Sequence, residues 1–255
     1  MKVANRIKDL STEYGGYKAL RWIQDHVVDR ARWKGFAQRR IFYRQLIGAN
    51  DLCFDVGANI GDISAVLLEL GARVVAIDPQ PAAMRELRAR LADNKNLICV
   101  DAGVADKPGA LDLYLHDQIG TTSMVQDWSI GKTVGKIVVP VTTLDDLIVR
   151  HGLPKYCKID VEGFELQVLQ GLSSKIPLMS LEFHADARNM ATAGQCLDLL
   201  ERQGPFELNV ISFCSHAFAW PDWVTRQEFE RRFAEELSGN PDFAYGDIFI
   251  WRSDV

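Results

Sequence analysis

The stretch Leu52-Cys53-Phe54-Asp55-Val56-Gly57-Ala58-Asn59-Ile60-Gly61-Asp62 decides the fold class. A short apolar run ends in a glycine-bearing turn, and a helical pattern from Asp62 to Leu70, closed by Gly71, follows it. The unit then recurs, with Arg73 to Ile77 as strand, Pro81 to Ala92 as helix opened by its proline, and Leu97 to Val100 as strand. Strands alternating with helices require right-handed crossovers and a doubly wound, mostly parallel α/β sheet.

Further along, residues 111–115 and 136–141 read as short strands around a loop from His116 to Gly135. Tyr156 to Asp160 and Leu178 to Phe183 are further strands, followed by helices at Phe164 to Gln170 and Ala193 to Gln203. Phe206 to Phe213 and Ala244 to Arg252 read as two last strands. The helix between them opens with Thr225 and Glu228 at capping-box spacing. Such an ending commonly closes a seven-stranded sheet with an antiparallel strand. Before all this, Tyr17 to Ile47 carries helical apolar spacing, predicting two amphipathic helices broken near Gly35. The division expected is a basic helical arm over residues 1–50 and a single domain over 51–255.

Composition agrees with one large globular unit: 255 residues, 47% apolar and 25% charged, with a net charge of −5. The charge is uneven. Residues 1–50 hold 11 basic and 4 acidic side chains, a balance of +7, against −12 in the rest. Arg30, Arg32, Lys34, Arg39, Arg40 and Arg44 concentrate the positive charge. A density of this kind suits a polyanion, but the acidic body offers a nearer partner, so the arm is expected to pack on it, at the acceptor entrance or a dimer contact, with no nucleic acid bound. The greasy run Val66 to Ile77 is interrupted by Glu69 and Arg73, and Met1 to Leu10 has no hydrophobic core of a leader, so no membrane span and a cytoplasmic location are expected. Five unpaired, widely spaced cysteines read as reduced core residues.

The turn names a ligand class. A dinucleotide fingerprint needs a second glycine where the backbone meets a pyrophosphate, and here Ala58 and Asn59 stand between Gly57 and Gly61. Asp55, two residues ahead of the turn, repels phosphate and attracts an ammonium or sulfonium group. Asp78, 23 residues on and at the end of the second strand, suits a ribose diol without a 2′-phosphate. Asp101, past the third strand, suits an adenine amino group. Together they point to S-adenosylmethionine, held by Asp55, Gly57, Ala58, Asn59, Gly61, Asp78, Asp101 and Asp160. An NAD-linked oxidoreductase or epimerase is the alternative, opposed by the missing glycine and the lack of a Tyr-x-x-x-Lys pair within residues 51–255. A non-catalytic nucleotide-binding module of the same fold is another.

The turn Asp55 to Gly61, the pair Asp78-Pro79, the run Val100 to Asp106 and above all Lys158-Ile159-Asp160-Val161-Glu162-Gly163-Phe164-Glu165 with Val168 to Gly171 resemble the FkbM-type S-adenosylmethionine-dependent methyltransferases. The resemblance covers roughly residues 50 to 215. It implies a Rossmann-like seven-stranded sheet, mostly parallel with an antiparallel C-terminal strand. It also implies methylation of a hydroxyl on a sugar, glycan or secondary metabolite. Many members carry Glu before the proline where this chain has Asp78, which shortens the reach but keeps the chemistry.

Hydroxyl acceptors need a base or a metal. Asp160 and Glu162 alternate at the end of one strand, Glu182 and His184 at the end of the next, all facing the cofactor crevice. Asp160, Glu162 and His184 are the candidate catalytic residues, with His184 best suited as base. Glu162 equally suits a cap for the next helix, and His184 a hydrogen-bonded strand end. The three can also form a divalent metal site, although no metal is assigned. The long loop, with Thr121, Thr122, Ser123 and Trp128, reads as an acceptor-side lid in which Trp128 either stacks on a sugar or anchors the loop. Trp220 and Trp223 pose the same choice. A homo-oligomer is compatible with the sequence.

Overall fold

The computed structural model describes residues 29–91, 93–116, 122–126, 128, 132–212 and 215–255, with the backbone alone for 29–34. Residues 1–28 of the predicted arm, and with them most of the helix expected from Tyr17 to about Gly35, lie outside the described residues.

Chain order begins with α1 (Asp29–Tyr43), β1 (Leu52–Val56), α2 (Asp62–Glu69), β2 (Arg73–Ile77), α3 (Pro81–Leu91) and β3 (Leu97–Val100). Then come β4 (Gly103–Val104), β5 (Gly109–His116), β6 (Thr133–Thr142), α4 (Leu144–His151), β7 (Tyr156–Ile159) and α5 (Glu165–Gln170). The last elements are β8 (Leu178–His184), α6 (Ala187–Glu201), β9 (Glu207–Ser212), α7 (Arg226–Gly239), a 3₁₀ turn (Pro241–Ala244) and β10 (Tyr245–Trp251). Seven strands form one sheet in the order β3-β2-β1-β7-β8-β10-β9, with β10 antiparallel to both neighbours and β1, β2, β3, β7 and β8 parallel.

Strand alternation divides the core. Phe54, Val56, Val75 and Ile77 face a layer built on α4 to α7, while Cys53, Val74 and Ala76 face α1, α2 and α3. Asp55, in phase with Cys53, therefore points toward the α1 and α2 side. The order reverses at β1, whose neighbours are β2 and β7. At such a switch point the loops after adjacent strands part and leave a crevice at their C-terminal ends.

Three helices depart from the sequence reading. Helix α1 runs through Gly35 without a break; a glycine inside a helix costs only about 1 kcal/mol, and burial of Phe42 and Tyr43 at the helix end outweighs it. Helix α4 is an addition, opened by Thr143, whose hydroxyl accepts the Asp146 N–H at 3.0 Å. Helix α6 begins at Ala187 rather than Ala193, because the Asp186 carboxylate accepts the N–H groups of Arg188 and Asn189. The strands β5 and β6 flank the long loop as expected and, with β4, form a separate three-stranded sheet.

The end of the arm is part of the core. Phe42 packs edge-on against Phe218 and Phe249, and the Tyr43 hydroxyl meets that of Tyr156 at 3.2 Å, which in turn meets Ser180 at 2.8 Å. Arg40 pairs with Glu69 on the surface at 3.5 Å. Cys53, Cys157 and Cys196 are buried and Cys99 half-buried, none in a disulfide; Cys214 lies outside the described residues. Among the described residues no helix is long and apolar enough to cross a membrane.

Candidate active site

The turn after β1 is shaped by backbone contacts. The N–H groups of Gly57 and Ala58 both donate to the Ile77 carbonyl, at 2.9 and 3.0 Å. Gly57 lies at φ 83°, and a Cβ there would overlap the carbonyl oxygen of Asp160. No side chain fits between the two strand ends, so the turn exposes bare backbone toward the crevice. Gly61, at φ 81°, caps α2 from its left-handed conformation.

Two cavities meet at this turn, and Gly57, Asn59 and Asp160 line both. The first, about 130 Å³, is bounded by Asp78, Ala102, Leu113, Met124 and Glu162 among others. Asp78 is buried, and its two carboxylate oxygens accept the N–H groups of Asn59 and Gln80, each at 2.8 Å. Burial raises its pKa to about 6, against the pull of those two donors. It is therefore ionised at neutral pH, with lone pairs left for a diol. Asp101 does not line the cavity. Its carboxylate turns outward into a two-pronged pair with Arg88 at 2.6 and 2.8 Å, which corrects the expectation that it faces adenine; Ala102 and Gly103 lie there instead.

The second cavity, about 490 Å³, extends over the ends of β1, β7, β8 and β10 to α1. Asp55 lines it from below, accepting the Ser64 hydroxyl at 2.6 Å, with its pKa raised by burial. Lys158 is buried between Asp160, at 2.9 Å, and Asp247, at 3.1 Å. Burial works against the ammonium, and the two carboxylates overcome it and hold the pKa well above the ordinary lysine range. Burial likewise opposes ionisation of Asp160, but the Lys158 charge and a hydrogen bond with Glu182 keep it below the usual carboxylate range. Glu182 takes the opposite course: burial, then the charges of Asp160 and Glu162, push it well up, so it holds a proton.

Of the predicted catalytic residues, Asp160 lies at the junction of the cavities, Glu162 edges the first, and His184 lines neither. His184 stands behind Glu182, Nε2 to Oε2 3.4 Å, stacked on Tyr245 and edge-on to Trp128. Burial lowers its pKa, so the ring is neutral near pH 7. Glu182 thus belongs to the constellation; its phase with His184 along β8 is the sequence signal for it. Glu162, Glu182 and His184 bring one ligand atom each within 4.8 Å of one another, a spacing open to a cation as well as to shared protons.

Glu162 and Gly163 form a left-handed turn, at φ 54° and 90°. The cap of that turn is Glu165, not Glu162: its Oε1 accepts the N–H groups of Val161 and Gly163, at 3.1 and 3.2 Å. Sequence reasoning missed this residue. Burial, then the neighbouring Asp160, raises Glu162 to about 8, and burial raises Glu165 to about 7. The long loop is anchored here. Trp128 is buried, lies where a Gly163 side chain would be, and donates its indole N–H to Glu162 at 3.0 Å, while the Ser123 hydroxyl donates to the Glu162 carbonyl at 2.6 Å. The ring is thus occupied by protein contacts. Trp220 packs on Phe229, and Trp223 on Phe218 and Trp251, both in structural roles.

S-adenosylmethionine suits this donor set. Bare backbone at Gly57, an ionised carboxylate beside an apolar-lined cavity, and buried acids next to the turn match a ligand with a ribose diol and a positive reacting end.

The model of the methyltransferase FkbM domain matches residues 55–205. No curated protein matches the chain. Among solved structures, precorrin-6y C5,15-methyltransferase from Geobacter metallireducens is similar at 15% identity, over 88% of each chain, with a TM-score of 0.42. Aeropyrum pernix fibrillarin with bound S-adenosyl-L-methionine is similar at 8% identity, over 81% of this chain and 68% of that one, with a TM-score of 0.45. An rRNA methylase from Streptococcus thermophilus is similar at 12%, over 84% and 93%, with a TM-score of 0.45. These likenesses are too distant to speak to a substrate. The family match spans more than half of the chain, and it rests on the segment that builds the crevice. The chain belongs to the FkbM-domain methyltransferases, and its cofactor is S-adenosylmethionine.

Proposed function

We propose that the chain methylates an oxygen, the hydroxyl of a sugar, glycan or secondary metabolite, in the cytoplasm. The observation that carries this reading is the position of Asp160, an ionised carboxylate lining both cavities and hydrogen-bonded to a protonated Glu182 with neutral His184 behind it. In this reading Asp78 holds the ribose, the Gly57 to Asn59 turn carries the methionine portion, and Asp55 with Asp160 faces its positive groups. The bound cofactor supplies a methyl already activated on sulfur, so alignment of the acceptor accounts for much of the rate. Asp160 orients the acceptor hydroxyl in the second cavity. As the oxygen gains the methyl, its proton passes to the Asp160–Glu182 pair, and Glu182 hands its own proton to His184. The acceptor chamber is closed on one side by α1 through Arg39, Phe42 and Tyr43.

Incubation with ¹³C-methyl-labelled cofactor and a panel of hydroxylated small molecules tests the reading. A new O-methyl resonance in the product supports it; labelling confined to N-, S- or C-methyl positions overturns it.

A further inference from the structure

The lining of the second cavity is uneven in how its charges are matched. Five carboxylates border it, and each has a partner. Lys158 serves Asp160 and Asp247, Ser64 donates to Asp55, Arg90 meets Asp62 at 2.9 Å, and Glu182 shares a hydrogen bond with Asp160. Arg39 is different. It is half-buried on α1, lines the cavity, and makes no hydrogen bond or ion pair among the described residues, whereas its neighbour Arg40 turns to the surface and pairs with Glu69. His216, in the segment after β9, lines the same wall without a hydrogen-bond partner among the described residues and lies within the field of Arg39. A guanidinium drawn partly out of water without a carboxylate is a cost unless an anion fills the place.

Neither residue borders the first cavity, so the pair sits across the chamber from the Asp78 side. We propose that Arg39 and His216 form an anion subsite in the acceptor chamber, and that the hydroxyl compound methylated here carries a phosphoryl group. This rests on the methyltransferase reading above. The planar fork of Arg39 suits two phosphoryl oxygens, and an imidazole N–H suits a third. The acceptor's far end is fixed there, and its hydroxyl is left facing Asp160. Such an acceptor would come from a kinase or another phosphoryl-transferring reaction. The rival ligand for Arg39 is the carboxylate of the cofactor itself.

Calorimetric titration of inorganic phosphate into the full chain saturated with S-adenosylhomocysteine decides between them, run beside acetate and chloride at equal ionic strength. Phosphate is expected to bind saturably, about tenfold more weakly in Arg39→Gln, with part of the affinity restored in Arg39→Lys, because two of the fork's charge-assisted bonds are lost. The variant's affinity for S-adenosylhomocysteine is expected to stay within about twofold. Phosphate binding no better than acetate or chloride, or unchanged in Arg39→Gln, overturns the proposal. So does a loss of S-adenosylhomocysteine affinity in that variant, which would give Arg39 to the cofactor. If the wild-type chain fails to bind S-adenosylhomocysteine, the methyltransferase reading falls instead, and the same titration of the ligand-free chain still tests the phosphate subsite.

Discussion

Replacing Lys158 with methionine keeps its volume and removes the buried cation that pairs with Asp160 and Asp247 and holds Asp160 ionised. Removing one partner of a buried ion pair costs about 3–5 kcal/mol, because the remaining charge is left uncompensated. For a domain of this size about 1 kcal/mol moves the melting point by 2–4 °C, so a drop of roughly 6–20 °C is expected at pH 7.5. The pH dependence identifies the cause. In the wild type Asp160 is held below its unfolded value, so its contribution is present above about pH 4 and is lost as the pH falls through the folded value. In Lys158→Met the cation that offset burial most is gone, the folded pKa rises, and the variant loses stability as the pH rises. The deficit therefore shrinks on acidification. Urea unfolding followed by tryptophan fluorescence at pH 5, 6, 7 and 8 measures it. A deficit below about 1 kcal/mol, or one that is flat between pH 5 and 8, would refute the reasoning.

Gly163→Ala places a methyl against the Trp128 ring at a φ of 90°, so a loss of at least 1–2 kcal/mol and a red-shifted tryptophan emission are expected in denaturation and fluorescence measurements. Phe42→Ala empties a site between Phe218 and Phe249 and should cost about 3–5 kcal/mol, measured by urea unfolding; a loss below about 1 kcal/mol would detach the arm from the core. His184→Ala should lower turnover by about 10² to 10⁴ while leaving cofactor affinity intact, since the ring stands behind Glu182 and outside both cavities. Turnover is expected to survive exhaustive EDTA treatment, and loss with recovery on adding a divalent ion would assign Glu162, Glu182 and His184 to a metal.

The sheet was legible because its signals are local. The apolar run 52–56, the glycine turn and the next helix lie within one short stretch, and each later strand repeats the pattern. The acids at strand ends were legible for the same reason, since a strand's last residue in a doubly wound sheet has few places to point. Part of what escaped depends on partners distant in sequence. Asp247 meets Lys158 across 89 positions, and Trp128 reaches Glu162 across 34. Asp101 reads like Asp78, yet Arg88, one helix earlier, draws it outward. Glu165 looks like a surface helix residue until the turn it caps folds back over it. Helix α4 had a readable start in Thr143 and Asp146, overlooked because it directly follows the long strand β6.

Calorimetric titration of S-adenosylhomocysteine into the wild-type chain and Asp78→Ala tests the central claim most directly. Saturable one-to-one binding is expected at pH 7.5. It should weaken below about pH 6 as Asp78 takes a proton. In Asp78→Ala the affinity should fall about tenfold to a hundredfold, the equivalent of roughly 1.5–3 kcal/mol for hydrogen bonds to a charged group. A wild-type chain that does not bind, or a folded Asp78→Ala variant that binds as tightly as the wild type, would contradict the account.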